Sequence, residues 1–451
     1  MKKMKHDVSI RLVKVLILIL MMVAFGFVWY GYYAARAQVH YYRRGDWVVI
    51  LLFGILYYGF CRSYDAFHIS ISPISEIIYS QTLALIISDF IMYVVIWLLS
   101  LYMPNAVPLL ITFGVQFLIS VLWTFLAHQW YFHNFRPGRT AVIYDLREGM
   151  ESLVGEYGME KKFHIEKVLG VEECLEKLSV LDEMDTVFLS GIHSHERNII
   201  LKYCMYQDIQ VYVIPRIGDV IMGGAKKVHM FHLPMLRIDR SRPIPEYTIA
   251  KRAFDILFSG IAIVIASPFM LVTAIAIKSD GGPALYKQKR LTKDGKEFNV
   301  LKFRSMRVDA EKDGVARLST GDKDDRITPV GKIIRKIRFD ELPQLFNILR
   351  GDMSIVGPRP ERPEIARQYE EEMPEFRLRL QAKAGLTGYA QVYGKYNTTP
   401  YDKLLMDLTY IGTPSLWEDF KICLATVKIL FMPESTEGVA EGATTAMNGK
   451  K

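Results

Sequence analysis

Four long apolar segments fill the first third of the chain, at about residues 12–33, 47–61, 77–101 and 106–127. Each is near or above the length a helix needs to cross a hydrocarbon layer, the second being the shortest. The first is too long for a removable signal peptide and lacks a small-residue cleavage site. Lys2, Lys3, Lys5, Arg11 and Lys14 gather at its start, so the excess of cations puts the N-terminus in the cytoplasm. Arg36, Arg43 and Arg44 in the following loop weigh against that orientation. Four crossings over residues 1–131 return the chain to the cytoplasm near Arg136 and Arg139. Asp89 sits inside the third segment. A hydrogen bond to a neighbouring helix is its simple reading, and a working intramembrane carboxylate is the rarer one.

From about 138 to 245 the composition becomes that of a soluble domain. The net charge of +8 over the whole chain suits an anionic partner such as a phosphorylated substrate or a membrane surface. The same charge also suits the flanks of membrane helices. No nucleic-acid partner is expected. Cys61, Cys174, Cys204 and Cys423 are widely spaced, with no CxxC pair. That pattern fits a reducing compartment and excludes a disulfide framework or a structural zinc site. Between 138 and 245, TAVIYD (140–145), DTVFLSG (185–191) and IQVYVIPR (209–216) read as buried strands with helices between them. This predicts a Rossmann-like α/β domain. The turn after TAVIYD is LREG, so the dinucleotide fingerprint is missing. His193 and His195 have metal-ligand spacing, but a strand-to-helix turn is the simpler reading.

Residues 253–277 are apolar enough for a fifth span, yet Ser267-Pro268 sits near their middle, where proline removes a backbone hydrogen bond. Cations flank both ends: Arg237, Arg240, Arg242, Lys251 and Arg252 before, and Lys278, Lys287, Lys289 and Arg290 after. Equal charge on both sides argues that both ends face the cytoplasm. The expectation is a re-entrant helix-break-helix, with a kinked complete span as the alternative.

Downstream lies a dense run of residues suited to phosphate. Lys289 and Arg290 are followed by Lys302 and Arg304 in KFRSM, then Arg326 in DDRITPVG, then Arg338. Arg359 is held between Pro358 and Pro360, which restricts the backbone and could aim a guanidinium at phosphate oxygens. Asp340 and Glu341 stand side by side in IRFDELPQL. A local reading makes Asp340 the cap of a helix whose first turn holds Glu341 and Pro343. Asp322, Asp324 and Asp325 read as a solvated loop.

The order of these motifs is informative. KRAFD, the Ser-Pro pair, GPALYKQKR, KFRSM, DDRITPVGKIIRKIRFDELPQL, GDMSIVGPRPE, GLTGYAQVYG (385–394) and DLTYIGTPSLWEDFKI (407–422) follow one another from about 250 to 432. In this the chain resembles the bacterial sugar transferase family, the monotopic polyprenol-phosphate phosphoglycosyl transferases. Its N-terminal parts resemble the large members, which include undecaprenyl-phosphate galactose- and glucose-phosphotransferases of surface-polysaccharide assembly. The resemblance implies a mainly α catalytic domain over 250–433, anchored by the helix-break-helix, on the cytoplasmic face of the bacterial inner membrane. It implies a UDP-sugar donor, an undecaprenyl phosphate acceptor, release of UMP, and Mg2+ held at Asp340 and Glu341. Asp340 would be the nucleophile and form a covalent phosphosugar intermediate. Glu341 would hold the metal or orient the incoming phosphate. Lys289, Arg290, Lys302, Arg304, Arg326, Arg338, Arg359, Gln391 and Asp407 would bind substrate. Lys395 stands where the family usually has Arg, and Gly412-Thr413 replaces a commonly Asn-containing turn. A membrane glycosyltransferase releasing UDP and a non-enzymatic membrane nucleotide sensor are the rival readings. Self-association into a homo-oligomer stays open. The tail 434–451 lacks any apolar period and is expected to be disordered.

Overall fold

The computed structural model describes residues 2–36, 44–100, 102–147, 149–240, 243–279, 281–307, 326–394 and 398–430. Asp322, Asp324, Asp325, Lys395 and the tail therefore lie outside the described residues. Contacts divide the chain into two compact units, Met1–Ile214 and Pro215–Lys451.

The first unit opens with four helices, Lys2–Val28, Arg44–Ser63, Ile74–Leu99 and Val107–Asn134. All four are long and apolar enough to cross a membrane. Each touches its neighbour in sequence, and the first also touches the fourth, which closes a bundle. The buried faces of the third and fourth helices carry a polar stripe, with Ser80, Gln81, Ser88 and Asp89 on one helix and Thr112, Gln116, Ser120 and Thr124 on the other, beside buried Ile77, Leu85, Met92 and Trp123. Leu98, Leu110, Ile111, Leu118 and Leu122 are exposed. Large aliphatics left exposed over a partly polar seam is an arrangement that lipid tolerates, since tails solvate Leu as well as a core does, while Phe25, Phe53, Tyr57 and Met92 fill the rest of the bundle interior. The second helix is longer than its apolar run because its polar start is used within the bundle. Asp46 accepts a hydrogen bond from Trp29 Nε1 at 2.9 Å.

After the bundle comes a four-stranded parallel sheet. Its strands are β1 (Gly138–Tyr144), β2 (Phe163–Gly170), β3 (Thr186–Ser190) and β4 (Gln210–Val213), in the order β2-β1-β3-β4. β1 and β3 are central and carry nearly continuous apolar runs, as strands covered on both faces must. β2 is an edge strand whose residues alternate in burial. The switch in strand order places a crevice at the carboxyl ends of β1 and β3. There His193 Nε2 lies 3.8 Å from Asp145 Oδ2, at the junction between Ser190 and the helix Ser194–Tyr206. Gly191 has φ +70°, and a Cβ on it would come within 2.8 Å of the Arg147 amide nitrogen. The turn therefore needs glycine.

The second unit begins upstream of the boundary near 245 that composition suggests. The helix Ile217–Gly223 packs on the helix Pro400–Gly412. A Cβ on Gly224 would lie 2.9 Å from the Gly412 Cα, so the two backbones meet in near contact.

The break into two helices expected at Ser267-Pro268 does not appear: the apolar stretch belongs to one helix of 35 residues, Pro245–Ser279, with Pro268 inside it, and this helix too is long and apolar enough to cross a membrane. Pro268 cannot donate to the carbonyl four residues back, that of Val264. Ser267 Oγ donates to that same oxygen at 2.8 Å, so the Ser-Pro pair removes one hydrogen bond and supplies a substitute. One face of this helix lies on the rest of the unit along its whole length. Tyr247, Asp255, Ser259, Met270, Thr273 and Ile277 are buried at three- to four-residue steps or their multiples. The other face leaves Leu257, Ile261, Val264, Ile265, Leu271 and Val272 exposed.

The KRAFD motif is the joint between this helix and the remaining fold. Lys251 pairs with Asp419 at 2.8 Å. Arg252 caps the carboxyl end of the helix Gln344–Arg350 by donating to the Ile348 and Leu349 carbonyls. Asp255 accepts from Ser354 Oγ and the Ile355 amide, which fixes the strand Ser354–Val356. That strand pairs in parallel with Gly385–Thr387. Leu285–Leu291 and Glu297–Phe303 form an antiparallel hairpin. Its connection, residues 292–296, closes through Asp294 and Gly295, both at positive φ, the left-handed residues that longer hairpin loops use to turn the chain back. Asn347 stitches the helix Gln344–Arg350 to the hairpin, accepting from the Leu301 amide and donating to the Asn299 carbonyl.

Candidate active site

The helix Pro329–Lys336 is capped at its start by Thr328, whose side chain accepts from the Gly331 amide. It ends at Ile337, and Arg338 adopts a left-handed conformation at φ +58°. Non-glycine residues resist that region, so the helix ends in a tight reversal that glycine would make with less strain. The reversal delivers Phe339, Asp340 and Glu341 as a single 3-10 turn. Asp340 therefore caps no helix. The following helix starts at Gln344, its N-cap is Pro343, and no side chain caps it. Phe339 and Leu342 on either side of the dyad pack with Met270 and Ile277 of the long apolar helix, and the rings of Phe339 and Phe269 meet edge to face.

The two carboxylates are in different environments. Glu341 Oε1 receives Lys302 Nζ at 3.0 Å and Arg359 Nη2 at 3.0 Å. Burial opposes ionisation of Glu341, yet Lys302, Arg359 and Arg338 together hold its carboxyl well below the usual range. No hydrogen bond or ion pair to a described residue takes up Asp340. Burial, and then the charge of Glu341, raise its carboxyl above the ordinary value, with Lys302, Arg335 and Arg338 pulling the other way. One acid is thus a fixed anion locked to two cations, while its neighbour keeps an unengaged carboxylate. Both cations meet Oε1 of Glu341, leaving Oε2 with no described partner.

The cations come from separate elements. Lys302 is on the strand Glu297–Phe303, and burial lowers its ammonium below the lysine range while Glu341 opposes that shift. Arg359 follows the strand Ser354–Val356. Arg290 lies on Leu285–Leu291, which pairs with the Lys302 strand, and its Nη2 donates to Gln288 Oε1 at 2.7 Å and its Nη1 to the Pro360 carbonyl at 3.0 Å. A small pocket lined by Arg290, Val300, Lys302, Gln344, Arg359 and Pro360 opens here.

Other residues that the sequence nominates stand elsewhere. Lys289 is on the opposite strand face from Arg290, exposed and paired with Glu297 at 3.0 Å. Arg304 is buried and donates to the Ile277 carbonyl at 3.0 Å, which ties the hairpin to the long helix. Arg326 contributes its carbonyl to the Arg307 amide. Gln391 Nε2 donates to the Leu386 carbonyl at 3.2 Å, and its buried Oε1 has no hydrogen-bond partner among the described residues. Asp407 is fully buried against Arg379. Arg379, Gln344 and Asn347 are residues that sequence reasoning passes over. An arginine among apolar residues in FRLRLQ is the one available signal for the first of them.

Residues 246–433, which contain every part of this site, match the model of the family described as bacterial sugar transferase. A protein of Caulobacter vibrioides, UDP-glucose:undecaprenyl-phosphate glucose-1-phosphate transferase, is 40% identical over 209 residues, covering 45% of this chain and 78% of that relative. The chain belongs to the bacterial sugar transferase family. It is also 39% identical over 234 residues to the UDP-N-acetylgalactosamine-undecaprenyl-phosphate N-acetylgalactosaminephosphotransferase of Aeromonas hydrophila, with 51% of this chain and 54% of the relative covered. The undecaprenyl-phosphate galactose phosphotransferase of Salmonella typhimurium is 38% identical over 210 residues, covering 44% of this chain and 43% of the relative. The match thus spans about half the length of the Aeromonas and Salmonella relatives. These three relatives are named for three different sugars.

Proposed function

We propose that this chain transfers a sugar 1-phosphate from a UDP-sugar to undecaprenyl phosphate by way of a covalent bond to Asp340, releasing UMP. The asymmetry of the dyad carries this reading. A nucleophile must be ionised but unengaged, and Asp340 is the unengaged carboxylate beside a locked one. One Asp340 oxygen attacks the sugar-bearing phosphorus, the bond from that phosphorus to the bridging oxygen breaks, and UMP departs with the electron pair. An oxygen of undecaprenyl phosphate then attacks the same phosphorus, and Asp340 leaves as a carboxylate. The product is a sugar diphospho-lipid. Phosphoryl transfer depends chiefly on positioning and charge neutralisation, which Lys302 and Arg359 supply from fixed places on Glu341.

Mg2+ binds one or two carboxylates together with substrate phosphates and water. Glu341 Oε2 and the Asp340 carboxylate are oxygen donors of that kind. Among the described residues no group of three or more His, Cys, Asp or Glu could hold a metal alone, so phosphate oxygens would complete the shell. The ion would neutralise charge on the diphosphate.

Phe339 ties the dyad to Phe269, next to Pro268, near the middle of the apolar helix. A site anchored there meets a lipid-borne phosphate without lifting the lipid into water. The same contacts favour insertion into one leaflet of the cytoplasmic membrane. Both ends of the long helix are held by one unit, through Tyr247 to Asp419 and through the Ile277 carbonyl to Arg304. A crossing helix would have to part them. Reporters placed near residue 140 and at the C-terminus are therefore expected both to read cytoplasm, and a C-terminus outside the cell would refute the one-leaflet reading.

The nucleotide product tests the reaction. Membrane-extracted protein given undecaprenyl phosphate and a panel of UDP-hexoses and UDP-N-acetylhexosamines should release UMP with one of them. Release of UDP would mean transfer of the sugar alone. The pH profile tests the dyad. Because Asp340 ionises above the ordinary carboxylate value, kcat/KM for the donor should climb with pH through a limb displaced upward from 3.8. A limb at the unshifted value would remove Asp340 as the titrating nucleophile.

A further inference from the structure

Arg359 owes its position to an arch, Pro358–Glu361, whose prolines have no N–H to give, so the arch is held by its carbonyls. Four consecutive carbonyls each accept a hydrogen bond. Pro358 accepts from the Gly385 amide at 2.9 Å and Glu361 from the Leu291 amide at 3.0 Å. Pro360 accepts from Arg290 Nη1 at 3.0 Å. The Arg359 carbonyl accepts from Arg379 Nη2 at 2.9 Å. Gly357, just before the arch, lies so close to the facing chain that a Cβ would fall 2.2 Å from the Lys383 carbonyl oxygen.

Arg379 is itself fixed. Its Nε and Nη2 reach Asp407 Oδ2 at 2.9 and 2.7 Å, its guanidinium lies over the Phe376 ring at 4.9 Å, and its Nη1 is 3.8 Å from Glu361 Oε1. The two side chains are 5% and 1% exposed. A planar guanidinium can hold a carboxylate with one edge and still donate to a carbonyl, which an ammonium on a flexible stem does poorly.

We propose that Arg379, oriented by Asp407, is a positioning residue for the transfer: it fixes the Arg359 carbonyl and thereby the guanidinium that meets Glu341. This rests on the transfer reaction proposed above. Asp407 then acts from behind the arch, through two arginines, without touching substrate.

A double-mutant cycle tests the relay in the full-length protein, read by UMP release. Arg379→Lys should lower kcat/KM about 10- to 100-fold with the thermal transition nearly unchanged. In an Arg359→Ala background the same substitution should change the rate less than about threefold, because the side chain that Arg379 positions is already gone. Should Arg379→Lys not fold, the neutral pair Arg379→Gln with Asp407→Asn serves in the same two backgrounds with the same expectation. Equal losses in both backgrounds would overturn the relay, as would an undiminished rate for Arg379→Lys. Wild-type protein that releases no UMP from any UDP-sugar would instead overturn the transfer reading, so the two failures are distinguishable.

Discussion

Asp340→Asn is expected to lower turnover by about ten-thousandfold or more while leaving the fold intact. The amide has the shape of the carboxylate but cannot become the anionic nucleophile. Removing a nucleophile closes the covalent path and leaves only binding and positioning. Asp340 makes no ion pair with a described residue, so the substitution strands no cation, and the thermal transition should stay close to wild type. Mass spectrometry provides the direct readout. Wild-type protein quenched with donor but no acceptor should carry a hexose-phosphate adduct on the peptide containing Asp340, and undecaprenyl phosphate should discharge it. Asp340→Asn should carry none. Kinetics that require both substrates at once, with no adduct in wild type, would make Asp340 a base or a metal ligand.

Much of this arrangement can be read from the residues, and the parts that cannot share a cause. Apolar length marks the four N-terminal helices, and apolar runs mark β1 and β3, because cover on both faces of a strand leaves a one-dimensional trace, while β4, at the other edge, keeps a short apolar run at half burial. β2 leaves none. It is an edge strand whose His164, Glu166 and Lys167 interrupt the pattern. The dyad and the Pro-Arg-Pro arch announce themselves by unusual local composition. The sorting of the cations depends on direction. Lys289 and Arg290 are adjacent in a strand and must face opposite sides, so only one of them can reach the site. Lys302 and Arg304 would share a face if the strand continued, but it ends at Phe303, and Arg304 turns to the Ile277 carbonyl. Arg379, Asn347 and the joint at Arg252 and Asp255 act on partners far away in sequence, and no local pattern encodes a distant carbonyl. The Ser267-Pro268 pair lies between these cases. Its effect on the helix is local, and the Val264 carbonyl that it re-satisfies is three residues away.

Glu341→Gln is expected to fail differently from Asp340→Asn. The amide keeps the size of the side chain but removes the charge shared by Lys302 and Arg359. Removing one partner of a buried pair costs roughly 3–5 kcal/mol. Because Arg359 is 43% exposed and regains water, the loss should fall near the lower end of that range. A thermal shift of several degrees is the expected sign, in contrast to the near-silent Asp340→Asn. Turnover should drop about 100- to 1000-fold, as it does when a fixed group that organises transition-state charge is lost. The pH profile should separate the roles further. Burial already lowers the Lys302 ammonium, and the Glu341 charge is what holds it up. With that charge gone, Lys302 loses its proton at lower pH. A cation needed for phosphate is lost as pH rises through its pKa, so the alkaline limb of kcat/KM should move to lower pH in Glu341→Gln. The acid limb should move the same way, since the negative neighbour that raises Asp340 has also been removed. A variant with unchanged stability and an unmoved alkaline limb would mean that Lys302 does not depend on Glu341, and that the locked carboxylate is not what organises this site.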